Sequence, residues 1–120
     1  MGYSMRAITL RNTKFEDKPN EDYCSVDETA GAALLLDGVS RDRENGRYPT
    51  PSPSVEANAA FAAAAFDIMC AYRGGTEGET LKTAAKAGND AVAVMNRGFG
   101  GYFLPGTVGI LALLKEAKLY

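Results

Sequence analysis

The chain has 120 residues, of which 46% are hydrophobic and 23% are charged, a composition typical of one folded domain. Its net charge of −2 excludes a general attraction for nucleic acid or an anionic membrane, and no apolar run is long enough to cross a bilayer. The absence of histidine excludes His-based zinc sites and the Ser/His and Cys/His nucleophile systems. We therefore expect a cytoplasmic protein in which any metal ion is held by oxygen ligands, which suit Mg²⁺, Mn²⁺ or Ca²⁺.

The first third of the chain predicts three strands. Residues 3–11 and 22–27 alternate between apolar and polar side chains, which is typical of strands with one solvated face. Residues 32–36 form a continuous apolar run, which favours a strand buried on both faces. Cys24 and Cys70 lie far apart and show no motif spacing, so we expect two free thiols.

Two Ala-rich helices are predicted after a loop at residues 39–52. Ser52 and Pro53 are typical of an N-cap and a first helical position, and this helix is expected to run to about Arg73. The second helix begins after Thr76 or Gly78 and ends at Gly98, and its small residues favour close antiparallel packing on the first. The expected apolar faces are Val55, Ala59, Ala62, Phe66, Met69 and Cys70 on the first helix, and Leu81, Ala84, Ala85, Gly88, Ala91, Val92 and Met95 on the second.

The last segment predicts a β-hairpin. Residues 107–114 are a strand-like apolar run, residues 115–118 resemble a turn, and Leu119 and Tyr120 begin a returning strand. Because that strand stops as soon as it starts, we expect residues 1–120 to be an incomplete part of a longer domain. The element order indicates an α+β fold in which an antiparallel helix pair covers one face of a mainly antiparallel sheet.

Two acidic clusters lie where predicted strands begin and end. Glu21 and Asp22 open the second strand, and Asp37 followed by Gly38 closes the third. If these strands form a hairpin, the carboxylates lie at one end of the sheet, although only one of Glu21 and Asp22 should face the same side as Asp37. Converging carboxylates are tolerated where a divalent cation neutralises them, and Gly38 allows a turn that exposes its carbonyl. Alternatively, both clusters are ordinary turn and loop sequences.

The sequence contains four segments whose order along the chain indicates a protein family more specifically than any one segment does. They are Asn20-Glu21-Asp22, Leu34-Leu35-Leu36-Asp37-Gly38-Val39, Asn89 in the second helix, and Gly106-Thr107-Val108-Gly109. This order resembles the metal-dependent protein phosphatase 2C family over essentially the whole chain. The resemblance implies an αββα sandwich, of which residues 1–120 are the N-terminal half, and a two-metal site for Mn²⁺ or Mg²⁺.

The same resemblance implies roles for individual residues. Glu21 and Asp37 are metal ligands, with Asp37 bridging the two ions, Gly38 binds through its carbonyl, and Asp22 holds metal-bound water. Lys18 or Lys14 substitutes for the arginine with which the family holds the substrate phosphate, with Lys18 the chosen candidate, and Arg41 is a further candidate for that contact. The implied reaction is attack of a metal-activated water on a phosphoserine or phosphothreonine of a phosphoprotein substrate.

Departures from the family pattern leave two alternatives open. Residues 14–19 contain no Arg, Val39-Ser40-Arg41 stands where further glycine is usual, and no Asp follows Asp90. The chain is then a catalytically inactive, pseudophosphatase-like binding module, or a complete small α+β domain whose acids are turn residues. If it is half of a sandwich, one side of the strand at residues 107–114 is uncovered, and we expect self-association or a complementing C-terminal segment.

Overall fold

The structure, a computed structural model, describes residues 2–11, 13–39, 43–72, 76–99 and 104–120. Its elements are β1 (Asp22–Asp27), β2 (Ala32–Gly38), α1 (Pro53–Cys70), α2 (Glu77–Asn96), β3 (Thr107–Lys115) and β4 (Lys118–Leu119). The strands form one antiparallel sheet in the order β1-β2-β3-β4. The α+β class and the antiparallel sheet with two helices are therefore as predicted. Neither described helix is both long and apolar enough to cross a membrane.

The prediction of a strand at residues 3–11 is wrong. This segment joins no ladder and instead lies along the face of the sheet that the helices leave uncovered. Side chains hold it there: the Met5 backbone N–H donates to Glu28 Oε1 at 2.8 Å, and Asn20 Nδ2 donates to Thr9 Oγ1 at 2.7 Å. The alternating pattern therefore reflects contact with a sheet face rather than strand pairing. We call residues 4–9 the N-terminal strap.

Helices cover only one face of strand β2, and its other face is partly exposed, so the prediction of burial on both faces is wrong. Leu34 and Leu36 are 1% exposed and point towards the helices, whereas Leu35 is 48% exposed. Helix α1 packs on β1, β2 and β3, and α2 packs on α1 and β3. We call the other side of the sheet the open face. The strap crosses it and leaves a cleft between them, which six side chains of the open face line: Cys24, Val26, Ala33, Leu35, Ile110 and Ala112.

Helix α1 begins where the sequence predicts, at the Ser52 N-cap, whose Oγ accepts a hydrogen bond from the Val55 backbone N–H. It ends at Cys70, earlier than expected, and the predicted stop at Gly74-Gly75 lies outside the described residues. Of its predicted apolar face, Ala62 and Met69 are buried, and Phe66 and Cys70 pack against the core, as expected. Val55 is 39% exposed instead, and Ala57 and Ala65 are fully buried although the sequence did not indicate it.

The core lies between α1 and the sheet. Met69 on α1 packs with Ala32 on β2 and Leu113 on β3, and Ala84 brings α2 into the same cluster. On α2, Ala84, Gly88 and Val92 are buried as predicted. The predicted hairpin turn is also present between β3 and β4, and both cysteines are free thiols.

Candidate functional site

The predicted acidic residues meet at one end of the β1–β2 hairpin. Asp22 lies directly opposite Asp37 in the strand register. Side chains directly opposite each other in an antiparallel pair share a face, with Cβ atoms roughly 4.5–5.5 Å apart. Because side chains alternate along a strand, Asp22 and Asp37 lie on the open face and Glu21 lies on the helix side. The sequence left open which of Glu21 and Asp22 shares a side with Asp37, and the register identifies Asp22.

Glu21 is held against the start of α1. Glu21 is only 8% exposed, and Ser52 Oγ donates a hydrogen bond to Glu21 Oε1 at 3.2 Å. Its carbonyl accepts two further hydrogen bonds, from the Gly38 backbone N–H at 2.8 Å and from Asn58 Nδ2 at 2.5 Å. A carboxylate at a helix N-terminus is also favoured by the helix dipole. Glu21 therefore couples the entry of β1 to α1.

Gly38 is required at its position by close packing. A Cβ there would lie 2.8 Å from the Glu21 carbonyl oxygen and 2.9 Å from Ser54 Cβ, distances that real Cβ atoms essentially never show. From the sequence we expected Gly38 to allow a sharp turn after the strand, but Gly38 is itself the last residue of β2. Beside it, Thr107 Oγ1 donates to the Asp37 carbonyl at 3.0 Å, which ties β3 to the same end of the sheet.

Lys18 lies in a separate group of cations and aromatic rings formed by residues 14–18 and 43–50. Its Nζ is 5.9 Å from the centroid of the Tyr48 ring. Asp17 joins the two segments by accepting hydrogen bonds from the Tyr48 backbone N–H at 2.9 Å and from Arg43 at 3.1 Å. These two donors hold the pKa of the Asp17 carboxyl below its ordinary value. The other candidate for phosphate binding, Arg41, lies outside the described residues.

The site contains an incomplete set of metal ligands. Asp22 and Asp37 place two carboxylates on one face, but the described part of the chain holds no group of three or more His, Cys, Asp or Glu residues able to bind a metal ion. Glu21 lies on the other side of the sheet, beside Ser52. Among the described residues, the two carboxylates Asp22 and Asp37 do not by themselves make up a two-metal site.

Two residues of this region were missed by the sequence reasoning. Asn58 is 2% exposed in the middle of an Ala-rich helix, and its Oδ1 has no hydrogen-bond partner among the described residues. Tyr48 forms one wall of the aromatic group. A polar residue on the buried face of α1 was a signal for Asn58, whereas no local pattern pointed to Tyr48.

Comparison with family models, with curated proteins and with solved structures gave no match. The likeness to the phosphatase 2C family therefore depends on the order of the motifs in the sequence.

Proposed function

We propose that this chain carries part of the catalytic domain of a metal-dependent protein serine/threonine phosphatase of the 2C type, with the αββα sandwich of that family. The observation that supports it is the register of β1 and β2, which places Asp22 directly opposite Asp37. Like charges at directly opposed positions destabilise a sheet, so such a pair suggests a cation between them. The two acids also lie in the two segments that resemble the family.

In this proposal the described residues have separate roles. Asp37 and Asp22 hold the cation on the open face, and Gly38 adds its backbone carbonyl as a ligand. Glu21, which the family resemblance implies as a metal ligand, is held by Ser52 on the helix side of the sheet. Lys18 supplies a positive charge for the substrate phosphate. Mn²⁺ or Mg²⁺, when bound, would activate water for attack on phosphorus. The further ligands that a two-metal site requires are not among the described residues.

A second candidate is a pseudophosphatase-like binding module that recognises phosphoproteins without hydrolysing them. The position of Glu21 favours it, since a carboxylate held by Ser52 on the helix side does not converge with Asp37. Hydrolysis of a phosphopeptide by the full gene product separates the two candidates: the phosphatase releases phosphate with Mn²⁺ and not with EDTA, whereas the module binds the peptide in both and releases none.

The metal site is tested by Mn²⁺ titration followed by electron paramagnetic resonance. We expect weak binding by the wild-type chain and at least about tenfold weaker binding by Asp37→Asn and Asp22→Asn. Asp90→Asn is the matched control, because Asp90 is an exposed carboxylate on α2, away from the strand hairpin, and pairs with Lys86. Equal affinity of Asp37→Asn and Asp90→Asn would contradict the proposed site.

A further inference from the structure

The group of cations and rings around Lys18 forms an open cleft that the proposed reaction does not explain. Phe15 and Tyr48 form its walls, with ring centroids 6.1 Å apart and planes inclined at 60°. Its volume is about 560 Å³. We call it the aromatic cleft, and its rim includes Lys14, Glu16, Asp17, Arg43, Gly46, Arg47 and Thr50.

Positive charge lies over both rings. The Arg43 guanidinium carbon is 5.2 Å from the centroid of Phe15 and 5.4 Å from that of Tyr48, and Lys14 Nζ is 5.6 Å from the centroid of Phe15. The Asp17 carboxylate is already occupied by Arg43 and by the Tyr48 backbone N–H. Cation–π contacts of this kind fix the cations in place, and the Arg43 guanidinium carries more N–H donors than its bond to Asp17 uses, so that it can also bind an anion.

Arg47 adds a further cation to the lining of the cleft. Its backbone exchanges hydrogen bonds with Glu44, and among the described residues its guanidinium makes no ion pair or hydrogen bond. Three cations, Lys14, Arg43 and Arg47, therefore face two carboxylates, Glu16 and Asp17, in the lining of the cleft. This part of the surface is positive in a chain whose net charge is −2.

We propose that the aromatic cleft binds the acidic side chains of a peptide, so that this protein selects phosphorylated segments flanked by Asp or Glu. Residues 14–17 of the cleft shortly precede Glu21 and Asp22 in the chain, and Lys18 between them lies beside Tyr48 of the cleft. Its rings can pack against the apolar stems of Glu side chains, and its guanidinium groups can donate hydrogen bonds to their carboxylates. The identity of the phosphorylated residue rests on the proposed function, but the preference for acidic flanks does not.

The test is fluorescence anisotropy with three labelled peptides in EDTA, where no metal takes part. One carries phosphoserine flanked by Glu, the second carries serine flanked by Glu, and the third carries phosphoserine flanked by Lys. We expect both Glu-flanked peptides to bind more tightly than the Lys-flanked one, and added NaCl to weaken their binding. Arg47→Glu should weaken binding of the Glu-flanked peptides by roughly threefold to tenfold, as expected for loss and reversal of one exposed charge.

Lys82→Glu is the matched control, because Lys82 is an exposed cation on α2 that pairs with the exposed Glu79, away from the cleft lining. Equal binding of Glu-flanked and Lys-flanked peptides, or equal effects of Arg47→Glu and Lys82→Glu, would overturn the inference. Failure of Mn²⁺ to support hydrolysis of the phosphorylated peptide by the full gene product would overturn the proposed phosphatase and leave the binding preference standing. Circular dichroism of both variants confirms that each comparison is made between folded proteins.

Discussion

Ser52 serves two neighbouring parts of the chain with one hydroxyl group. Its oxygen accepts from the Val55 backbone N–H at the start of α1, and its proton is donated to Glu21 Oε1. Both Ser52 and Glu21 are 8% exposed, so water replaces neither contact easily. The N-cap therefore also satisfies the buried carboxylate at the entry of β1.

Ser52→Ala should lower the free energy of unfolding by about 1–3 kcal/mol, since it removes the cap and leaves Glu21 with one partner fewer. Thr76→Ala is the control, because Thr76 is the N-cap of α2 and makes no side-chain capping bond. That variant should change stability by less than about 0.5 kcal/mol. Urea unfolding of both variants checks the prediction, and similar losses in the two would show that the Ser52 contacts add nothing.

Tyr72 joins the end of α1 to the hairpin of β3 and β4. It is 8% exposed, and Lys115 Nζ lies 4.9 Å from its ring centroid. A hydrogen bond to the Glu77 carboxylate, together with burial, raises the pKa of Tyr72 to about 12 from 10.0. The same hydrogen bond lowers the pKa of Glu77. Folding therefore favours the neutral phenol over the phenolate.

The raised pKa of Tyr72 predicts a loss of stability in alkali. Its contribution is complete below pH 10.0, where the unfolded phenol is neutral, and is lost as pH rises towards about 12. Urea midpoints measured from pH 9 to about 11.5 should fall less steeply in Tyr72→Phe than in the wild type. Tyr23→Phe, at an exposed position on β1, should retain the wild-type slope. Parallel slopes in all three proteins would contradict the assignment to Tyr72.

At the scale of elements, the contact between α1 and α2 depends on one glycine. Gly88 is buried on α2, and a Cβ at this position would lie 2.6 Å from Cδ2 of Phe61 on α1. The helices can approach to this distance because Gly88 has no side chain. Gly78, in the first turn of α2, would meet nothing within 4 Å and offers a comparison in the same helix.

Gly88→Ala and Gly78→Ala should change stability in opposite directions. Alanine improves helix propensity by up to about 1 kcal/mol at either position. At Gly88, displacement of the Phe61 ring costs about 1–3 kcal/mol and outweighs that gain. Thermal or urea unfolding should show a destabilised Gly88→Ala and a stabilised Gly78→Ala. Stabilisation of both would mean that the Phe61 ring rotates away without cost.

At the scale of the whole molecule, the sheet is covered by helices on one side and by the strap alone on the other. Val108 and Ile110 on β3 are 62% and 65% exposed, and Leu35 on β2 is 48% exposed. The strap itself presents Ile8, which is 78% exposed. Adjoining apolar side chains on one face favour association, because burying each recovers roughly 1.5–3 kcal/mol.

The chain should therefore self-associate through the open face. Light scattering over a dilution series should give an apparent mass that falls with concentration for the wild type and stays monomeric for Ile110→Lys. Val94→Lys is the control, since Val94 is 58% exposed on α2, away from the sheet, and this variant should associate like the wild type. A wild-type chain that is monomeric at every concentration would show that the strap covers the face sufficiently.

The sequence alone determined those features that depend on neighbours within a few residues. Ser52 and Pro53 predicted the start of α1, and residues 115–118 predicted the turn between β3 and β4. The buried stripe of α2 followed from its helical spacing. Such signals are reliable because capping, turn geometry and helical periodicity are set by contacts within one or two turns of chain. They also justified the α+β class.

The tertiary structure alone decided how distant segments are arranged. Alternation identifies which residues share a face but not which face is covered, so residues 3–11 read as a strand and the exposure of Leu35 went unpredicted. The direction of Glu21 was likewise set by Ser52, which lies 31 positions further along the chain. The aromatic cleft depends on Phe15 meeting Tyr48, a pairing that neither segment specifies locally. Burial and side-chain pairing over such separations depend on packing of the whole fold, and local sequence patterns do not encode that packing.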